Sequence, residues 1–438
     1  MQITIHRGTK EIGGSCIELQ SGVSRIVLDM GMPLVNGAGD RFDMRDHDGL
    51  TGAELVVEKV LPNVEGLYAW QEPSVDAVFI THAHQDHYGF LEYVHPDIPV
   101  YMSEGTKKLI EITVDFTPME NPLNTVELFS WHESYTVGPF TIIPHLVDHS
   151  CFSAFALEIE ADGKRVFYSG DFRDHGPIAK KAMKALYNRV KPGVDALLME
   201  GTMLGRTGER VRTEEELSEE ATEICKQTEG IVFIFQSGQN ISRAVSFYKA
   251  AKRMGRYFVL DVYAAHVMSE VSKCEGGGNL PYPGKSGFEL MRVWYPYWLN
   301  KGLRKRGKTN ILNQHARHKI TKPEMGETPD KMVVFVRPTM ASDLDHIKNL
   351  EGSTLIYSLW DGYKEDSKTK AFLELVETKG IKIETLHTSG HAEYSALQNM
   401  VDTLKPKKLF PIHTFHPDQF GDFGEEVQEL EDGVPVTL

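Results

Sequence analysis

Thr81-His82-Ala83-His84-Gln85-Asp86-His87 follows directly on the apolar run Val75-Asp76-Ala77-Val78-Phe79-Ile80. Three imidazoles and a carboxylate therefore sit at the end of a predicted buried strand, packed into His82–His87. Side chains leaving a strand into a tight loop point alternately at two nearby centres, so His82 and His84 are expected to serve one cation and Asp86 and His87 another. Imidazole nitrogen and carboxylate oxygen are ordinary zinc ligands, and two cations roughly 3.5–4 Å apart can share a water and clamp a phosphoryl group. The plain alternative, a polar helix start that happens to be rich in histidine, does not account for the HxHxDH spacing.

The rest of the composition bounds the setting. With 438 residues, 41% hydrophobic and 25% charged, the chain reads as a soluble globular protein of two or three domains. No apolar run approaches the ~20 residues that span a bilayer. Met1–Ile5 reads as the start of a strand rather than a signal peptide, so a cytoplasmic protein with no membrane association is expected. Cys16, Cys151, Cys225 and Cys274 form no CxxC pair, which argues against both a disulfide framework and a thiolate metal site. A net charge of −15 excludes nucleic-acid binding by general electrostatics, so any such path must be a local basic feature.

Taken in order, Ile3 to Leu28 reads as strands broken at Gly13-Gly14 and Ser21-Gly22, ending in Asp29. Residues 36–72 read as a long loop with short helices, and Tyr88 to Val94 as helical. Thr141 to Val147 leads to Asp148-His149-Ser150, and a hairpin turning at Ala161–Lys164 ends in Gly170-Asp171. A lone His149 reads as structural and a lone Asp171 as a turn residue, yet apolar strands repeatedly deliver a candidate ligand at their ends. Val194 to Met199 does the same for Glu200-Gly201-Thr202. Helices and strands then alternate from Thr213, which is spaced with Glu216 as a capping box, to Glu377, and predict a second α/β layer with a mostly parallel sheet. Ile381 to Leu386 is expected to return the chain to the first domain. Within Gly276 to Gly326, Trp294, Tyr295, Tyr297 and Trp298 interleave with cations such as Arg304, Lys305 and Arg306, a pattern that suits either a nucleic-acid path or a solvated helix face.

HxHxDH is the signature of the metallo-β-lactamase superfamily, which the chain resembles. Glu200, His387-Thr388-Ser389-Gly390-His391-Ala392 and Lys408-Leu409-Phe410-Pro411-Ile412-His413 are similar to the three extra motifs of its β-CASP branch. Gly8-Thr9-Lys10-Glu11-Ile12-Gly13-Gly14 and Ser237-Gly238-Gln239-Asn240-Ile241-Ser242-Arg243 resemble the ribonuclease J group within that branch, in a short form without the C-terminal domain many members carry. The resemblance implies an α/β fold, an αββα sandwich at 1–205 and 381–438 interrupted by a β-CASP parallel-sheet domain at 206–380. It implies two zinc ions, one held by His82, His84, His149 and Asp171, the other by Asp86, His87, Asp171 and His413, with Asp29 supporting the metal loop through hydrogen bonds. The chain departs from the group after His413, where Thr414-Phe415-His416-Pro417 stands in place of Gly-Glu; His416 is the alternative ligand, less directly placed after the strand.

Asp86, His391 and Glu200 form the candidate catalytic set, with His391 donating a proton to the leaving 3′ oxygen and Glu200 orienting it. Ser237, Gly238 and Asn240, at a strand-to-helix junction, and Ser389 and Gly390 are candidate substrate-binding residues that would hold a phosphate; an ordinary turn is the competing reading of the first group. The implied activity is zinc-dependent hydrolysis of single-stranded RNA to 5′-phosphate products, 5′-to-3′ exonucleolytic with endonuclease activity. Single-stranded DNA is not excluded by the chemistry, and self-association is compatible with it. A small-molecule metallo-hydrolase acting on thioesters or lactones is the alternative, which the long insert and Ser389-Gly390-His391 disfavour. A non-catalytic partner subunit would be expected to have lost ligands, and this sequence keeps the full set.

Overall fold

The computed structural model describes residues 1–36, 39–206, 211–424 and 426–438. Residues 37–38 of the predicted long loop and 207–210 at the start of the predicted insert lie outside that range.

Three sheets organise the described residues. The first runs Pro435–Thr437, Gln2–Arg7, Cys16–Ser21, Ser24–Leu28, Ala77–Phe79, Val100–Ser103 and Val126–Phe129. Its early strands pair antiparallel, and from Ser24–Leu28 onward the pairing is parallel. The second runs Leu409–Ile412, Ala196–Glu200, Lys164–Tyr168, Phe155–Ala161, Phe140–Leu146 and Tyr135–Val137. Alternation in the strands gives each of these two sheets an apolar inner face, and Ile3, Leu28, Phe79, Phe140, Leu157, Leu198 and Phe410 interlock between them as one core. The helices Ala179–Arg189 and Tyr394–Leu404 cover the outer face of the second sheet through Met183, Leu186, Leu397 and Met400. Leu109 and Ile110 of the helix Glu104–Phe116 cover the outer face of the first. The result is an αββα sandwich.

The third sheet is wholly parallel, in the order Met291–Trp294, Tyr257–Asp261, Met332–Phe335, Val232–Phe235, Thr354–Tyr357 and Lys382–Thr385. Both faces are covered, as an all-parallel sheet requires. The capping box forms as the spacing predicts: the Thr213 side chain accepts from Glu216 N, and the Glu216 carboxylate accepts from Thr213 N. The return of the chain needs correction. Residues 382–385 pair in parallel with Thr354–Tyr357 as the edge strand of the third sheet, so the crossing to the sandwich comes after them. Helix Ser367–Thr378 makes this strand the last step of a β-α-β crossover, and its partly exposed pattern is that of an edge. The predicted helix over Tyr88 to Val94 is likewise reduced to Gln85–Tyr88 and a short helical turn at Leu91–Tyr93.

The aromatic and basic segment divides. Trp294 is buried and its indole N–H donates to Phe335 O at 3.1 Å, while Tyr297 and Trp298 stand exposed on the helix Tyr297–Lys305. Arg306 donates to the carbonyls of Asp115 and Phe116 at 3.0 Å each, and Lys308 pairs with Asp115, so part of this charge ties the insert to the sandwich. No helix among the described residues is long and apolar enough to cross a membrane.

Candidate metal centre and active site

Parallel strands deliver their C-terminal ends to one edge, and the candidate residues collect there. Asp29 follows Ser24–Leu28, the His82–His87 loop follows Ala77–Phe79, His149 follows Phe140–Leu146, Asp171 follows Lys164–Tyr168, Glu200 ends its strand, and His413 follows Leu409–Ile412. The Asp29–Met32 segment braces the histidine loop: Met30 N donates to His87 O at 2.8 Å and Met32 N to Gln85 O at 2.9 Å. The two backbones approach so closely that a Cβ on Gly31 would lie 1.7 Å from Asp86 O, which only glycine permits. Asp29 and His413 both adopt positive φ, 59° and 51°, an uncommon conformation for side-chain-bearing residues that aims each one back into the site.

Asp29 accepts hydrogen bonds from Thr81 N (2.8 Å), His87 Nδ1 (2.8 Å) and Tyr168 Oη (2.7 Å). The bond to His87 turns its Nε2 toward Asp171 Oδ2, 3.1 Å away. His149 Nδ1 donates to Gly390 O at 2.6 Å, leaving Nε2 to face His84 Nδ1 at 3.1 Å, and His82 Nε2 lies 3.1 Å from the same atom. His413 Nε2 faces Asp86 Oδ2 at 3.3 Å while its Nδ1 meets Thr202 Oγ1 at 2.8 Å. The donor atoms of His82, His84 and His149 lie within 4.8 Å of one another, as do those of Asp86, His87, Asp171 and His413. His416 is not in either group.

Burial, reinforced by neighbouring imidazoles, keeps His82 and His149 well below the ordinary histidine value, and burial brings His84 down to about 4. These are neutral rings, the form that ligates metals. Burial alone would raise Asp86 and Asp171, but His413 and His87 outweigh it, holding Asp86 at about 2 and Asp171 well below the carboxylate range. Asp171 Oδ1 is buried and accepts no hydrogen bond from a described residue. Nitrogen lone pairs converging at 3.1 Å beside an unsatisfied buried carboxylate oxygen are costly unless a cation resolves them, so the donor set fits a metal.

Beside these groups, His391 Nδ1 donates to Glu200 Oε2 at 3.0 Å, and Glu200 is itself fixed by Phe172 N at 3.0 Å. Burial opposes charge on His391, but Glu200 and Asp171 outweigh it and its value is raised. Ser389 Oγ accepts from His391 N at 3.0 Å, so Ser389 and Gly390 orient His391 and His149 directly. Ser237 and Gly238 line a separate cavity of about 440 Å³ with Arg41, Tyr263, Arg337 and Lys368. Asn240 is not part of that lining; its side chain caps the helix Ile241–Arg253 by accepting from Arg243 N.

A buried charge network went unread in the sequence. Arg173 donates to Asp148 Oδ1 (2.7 Å), Glu214 Oε1 (3.1 Å) and Ser389 O (3.2 Å). Arg243 donates to Glu214 (3.2 Å) and to Thr388 O (2.9 Å). Glu214 thus neutralises two buried guanidiniums, one from each part of the chain, and both hold the segment bearing His391. Burial would raise the Glu214 value, but Arg243 and Arg173 hold it at about 2. The folded value is depressed, so this stabilisation is complete above the ordinary value of 4.5 and is lost as pH falls through about 2. Glu214→Ala is expected to cost about 3–5 kcal/mol by leaving the buried Arg243 without a carboxylate and Arg173 with Asp148 alone. A thermal midpoint equal to that of the parent at neutral pH would refute this. Only the spacing of the three residues in three dimensions reveals the network.

Residues 57–234 match the beta-lactamase superfamily domain, and residues 379–432 match the Zn-dependent metallo-hydrolase RNA specificity domain. The chain thus carries a domain of the β-lactamase superfamily. The chain is similar to ribonuclease J proteins: it is 27% identical to ribonuclease J of Sinorhizobium meliloti over 94% of this chain and 71% of that protein. With ribonuclease J of Helicobacter pylori it shares 24% identity over 94% of this chain and 56% of that one. The crystal structure of a protein of unknown function from Enterococcus faecalis superposes with a TM-score of 0.77 at 22% identity, covering 100% of this chain and 99% of that one, a likeness of fold. The two matched ranges contain the HxHxDH stretch, His149, Asp171, Glu200, His391 and His413; Asp29 lies outside both.

Proposed function

We propose that the chain is a zinc-dependent ribonuclease that hydrolyses single-stranded RNA to 5′-phosphate products, acting 5′-to-3′ with some endonuclease activity. The observation that carries the reading is Asp171, a member of the second donor group that also lies 3.8 Å from His82 and 3.9 Å from His149 of the first, with the His391–Glu200 pair alongside, in a chain whose residues 379–432 match an RNA-specificity domain. In this reading His82, His84, His149 and Asp171 hold one zinc, and Asp86, His87, Asp171 and His413 the other. When bound, the two cations supply a water acidified toward neutral pH and positive charge for the phosphoryl oxygens. The protein residues do the rest. Asp29 and Gly390 O fix the rings of His87 and His149. Glu200 holds His391 by Nδ1 and favours its protonated form, which leaves Nε2 to deliver a proton to the departing 3′ oxygen. Ser237 and Gly238, in the cavity with Arg41, Arg337 and Lys368, receive a substrate phosphate. Four unpaired, buried thiols fit a reducing cytoplasm.

The test is end-labelled single-stranded RNA with a 5′ monophosphate, hydroxyl or triphosphate, alongside single-stranded DNA, presented to zinc- or manganese-loaded protein. Early release of mononucleotides from the 5′ end, fastest for the monophosphate, is expected. A ladder of internal products indifferent to the 5′ group would make the enzyme an endonuclease, and intact RNA would end the ribonuclease reading.

A further inference from the structure

After the strand Thr354–Tyr357 the chain leaves the third sheet through Ser358 and Leu359 and presents two aromatic rings to solvent. Trp360 is 40% exposed and Tyr363 45%. Their ring centroids lie 5.6 Å apart, edge to face at 87°. These rings are held rather than loose. Tyr357 Oη donates to Trp360 O at 3.0 Å, Tyr363 N donates to the same carbonyl at 3.0 Å, and Lys364 Nζ donates to Thr385 Oγ1 at 3.0 Å. The indole folds back over Gly362 so closely that a Cβ there would lie 2.1 Å from its ring. From the sandwich side, the guanidinium of Arg206 reaches over the indole, 4.9 Å from its centroid.

The position of this pair relates it to the metal groups. Trp360 and Leu359 line a cavity of about 150 Å³ whose other walls include His387, Thr388 and Ser389, and Ser389 holds His391 N. Rigid aromatic rings with a guanidinium stacked on one of them match a flat π-system carried on an anionic chain. A nucleotide is such a ligand, and pre-set rings lose little conformational entropy when a base stacks on them.

We infer that Trp360 and Tyr363, with Arg206 set against the indole, seat one base of a single-stranded RNA beside the metal groups. This rests on the ribonuclease reading, and the test separates the two. In a zinc-loaded His391→Ala background, which slows cleavage, the affinity of a short labelled single-stranded oligoribonucleotide is read by fluorescence anisotropy. Trp360→Ala and Tyr363→Ala are each expected to weaken it about 5- to 150-fold, the worth of one stacked base, and Trp360→Phe to restore most of the loss. Oligonucleotides with a single abasic position, scanned along the chain, should show one position whose loss matches that of Trp360→Ala and adds nothing to it. Trp360→Ala should keep the parental zinc content and thermal midpoint, which excludes misfolding as the cause. Parental RNA affinity in the Trp360→Ala, Tyr363→Ala double variant, or losses additive with Trp360→Ala at every abasic position, overturns the seat alone. Absence of RNA binding in the His391→Ala background before any aromatic is changed overturns the ribonuclease reading and the seat with it.

Discussion

Asp171→Ala is expected to release both metal ions, taking the zinc content from two per chain to none and hydrolysis to background. The reason is geometric. Asp171 Oδ2 lies 3.1 Å from His87 Nε2, 3.8 Å from His82 Nε2 and 3.9 Å from His149 Nε2, while Oδ1 lies 3.8 Å from His413 Nδ1. One carboxylate thus faces ligand nitrogens of both groups, and it is the anion common to them. Without it the first group retains neutral imidazoles alone, and the second keeps a single carboxylate, Asp86, to balance a dication. Elemental analysis of parent and variant equilibrated at equal free zinc is the measurement. One zinc in the parent would refute the two-metal assignment, and two zincs in Asp171→Ala would refute the shared role of this residue.

His391→Ala is expected to keep both metals and lose on the order of 10²–10⁴ in the rate of RNA hydrolysis, the contribution of a well-placed general acid. His391 lies within reach of Asp171 and His413 as well as Glu200, so its donor atom could also serve a cation. Its Nδ1, however, is already directed to Glu200 Oε2 at 3.0 Å, and its side chain remains 20% exposed. The leaving group separates the two roles. An acid is needed for a ribose 3′ oxygen and not for p-nitrophenolate, which departs unprotonated at neutral pH. The variant should therefore hydrolyse bis(p-nitrophenyl) phosphate at close to the parental rate while RNA cleavage falls. Stoichiometric loss of zinc, or equal losses on both substrates, would make His391 a ligand.

What the sequence determined by itself is what local order encodes. HxHxDH was legible because a strand and a tight loop set the directions of neighbouring side chains without help from the rest of the chain. The alternation of helices and strands, and the Thr213–Glu216 capping box, were legible for the same reason. His149, Asp171, Glu200, His391 and His413 could be singled out only as strand ends within motifs similar to a known family, since no spacing says which distant strand ends meet. Tertiary structure decided that meeting, by pairing Lys164–Tyr168, Ala196–Glu200 and Leu409–Ile412 in parallel so that their ends share one edge. It also assigned residues 382–385 to the third sheet, because a short half-exposed strand carries no local mark of the sheet it will join. The Arg173–Glu214–Arg243 network and the seat of Trp360, Tyr363 and Arg206 were wholly tertiary decisions. A buried charge is tolerable only where its partner arrives, and an exposed ring becomes a binding surface only beside the chemistry it serves; both depend on residues far apart in sequence being packed together.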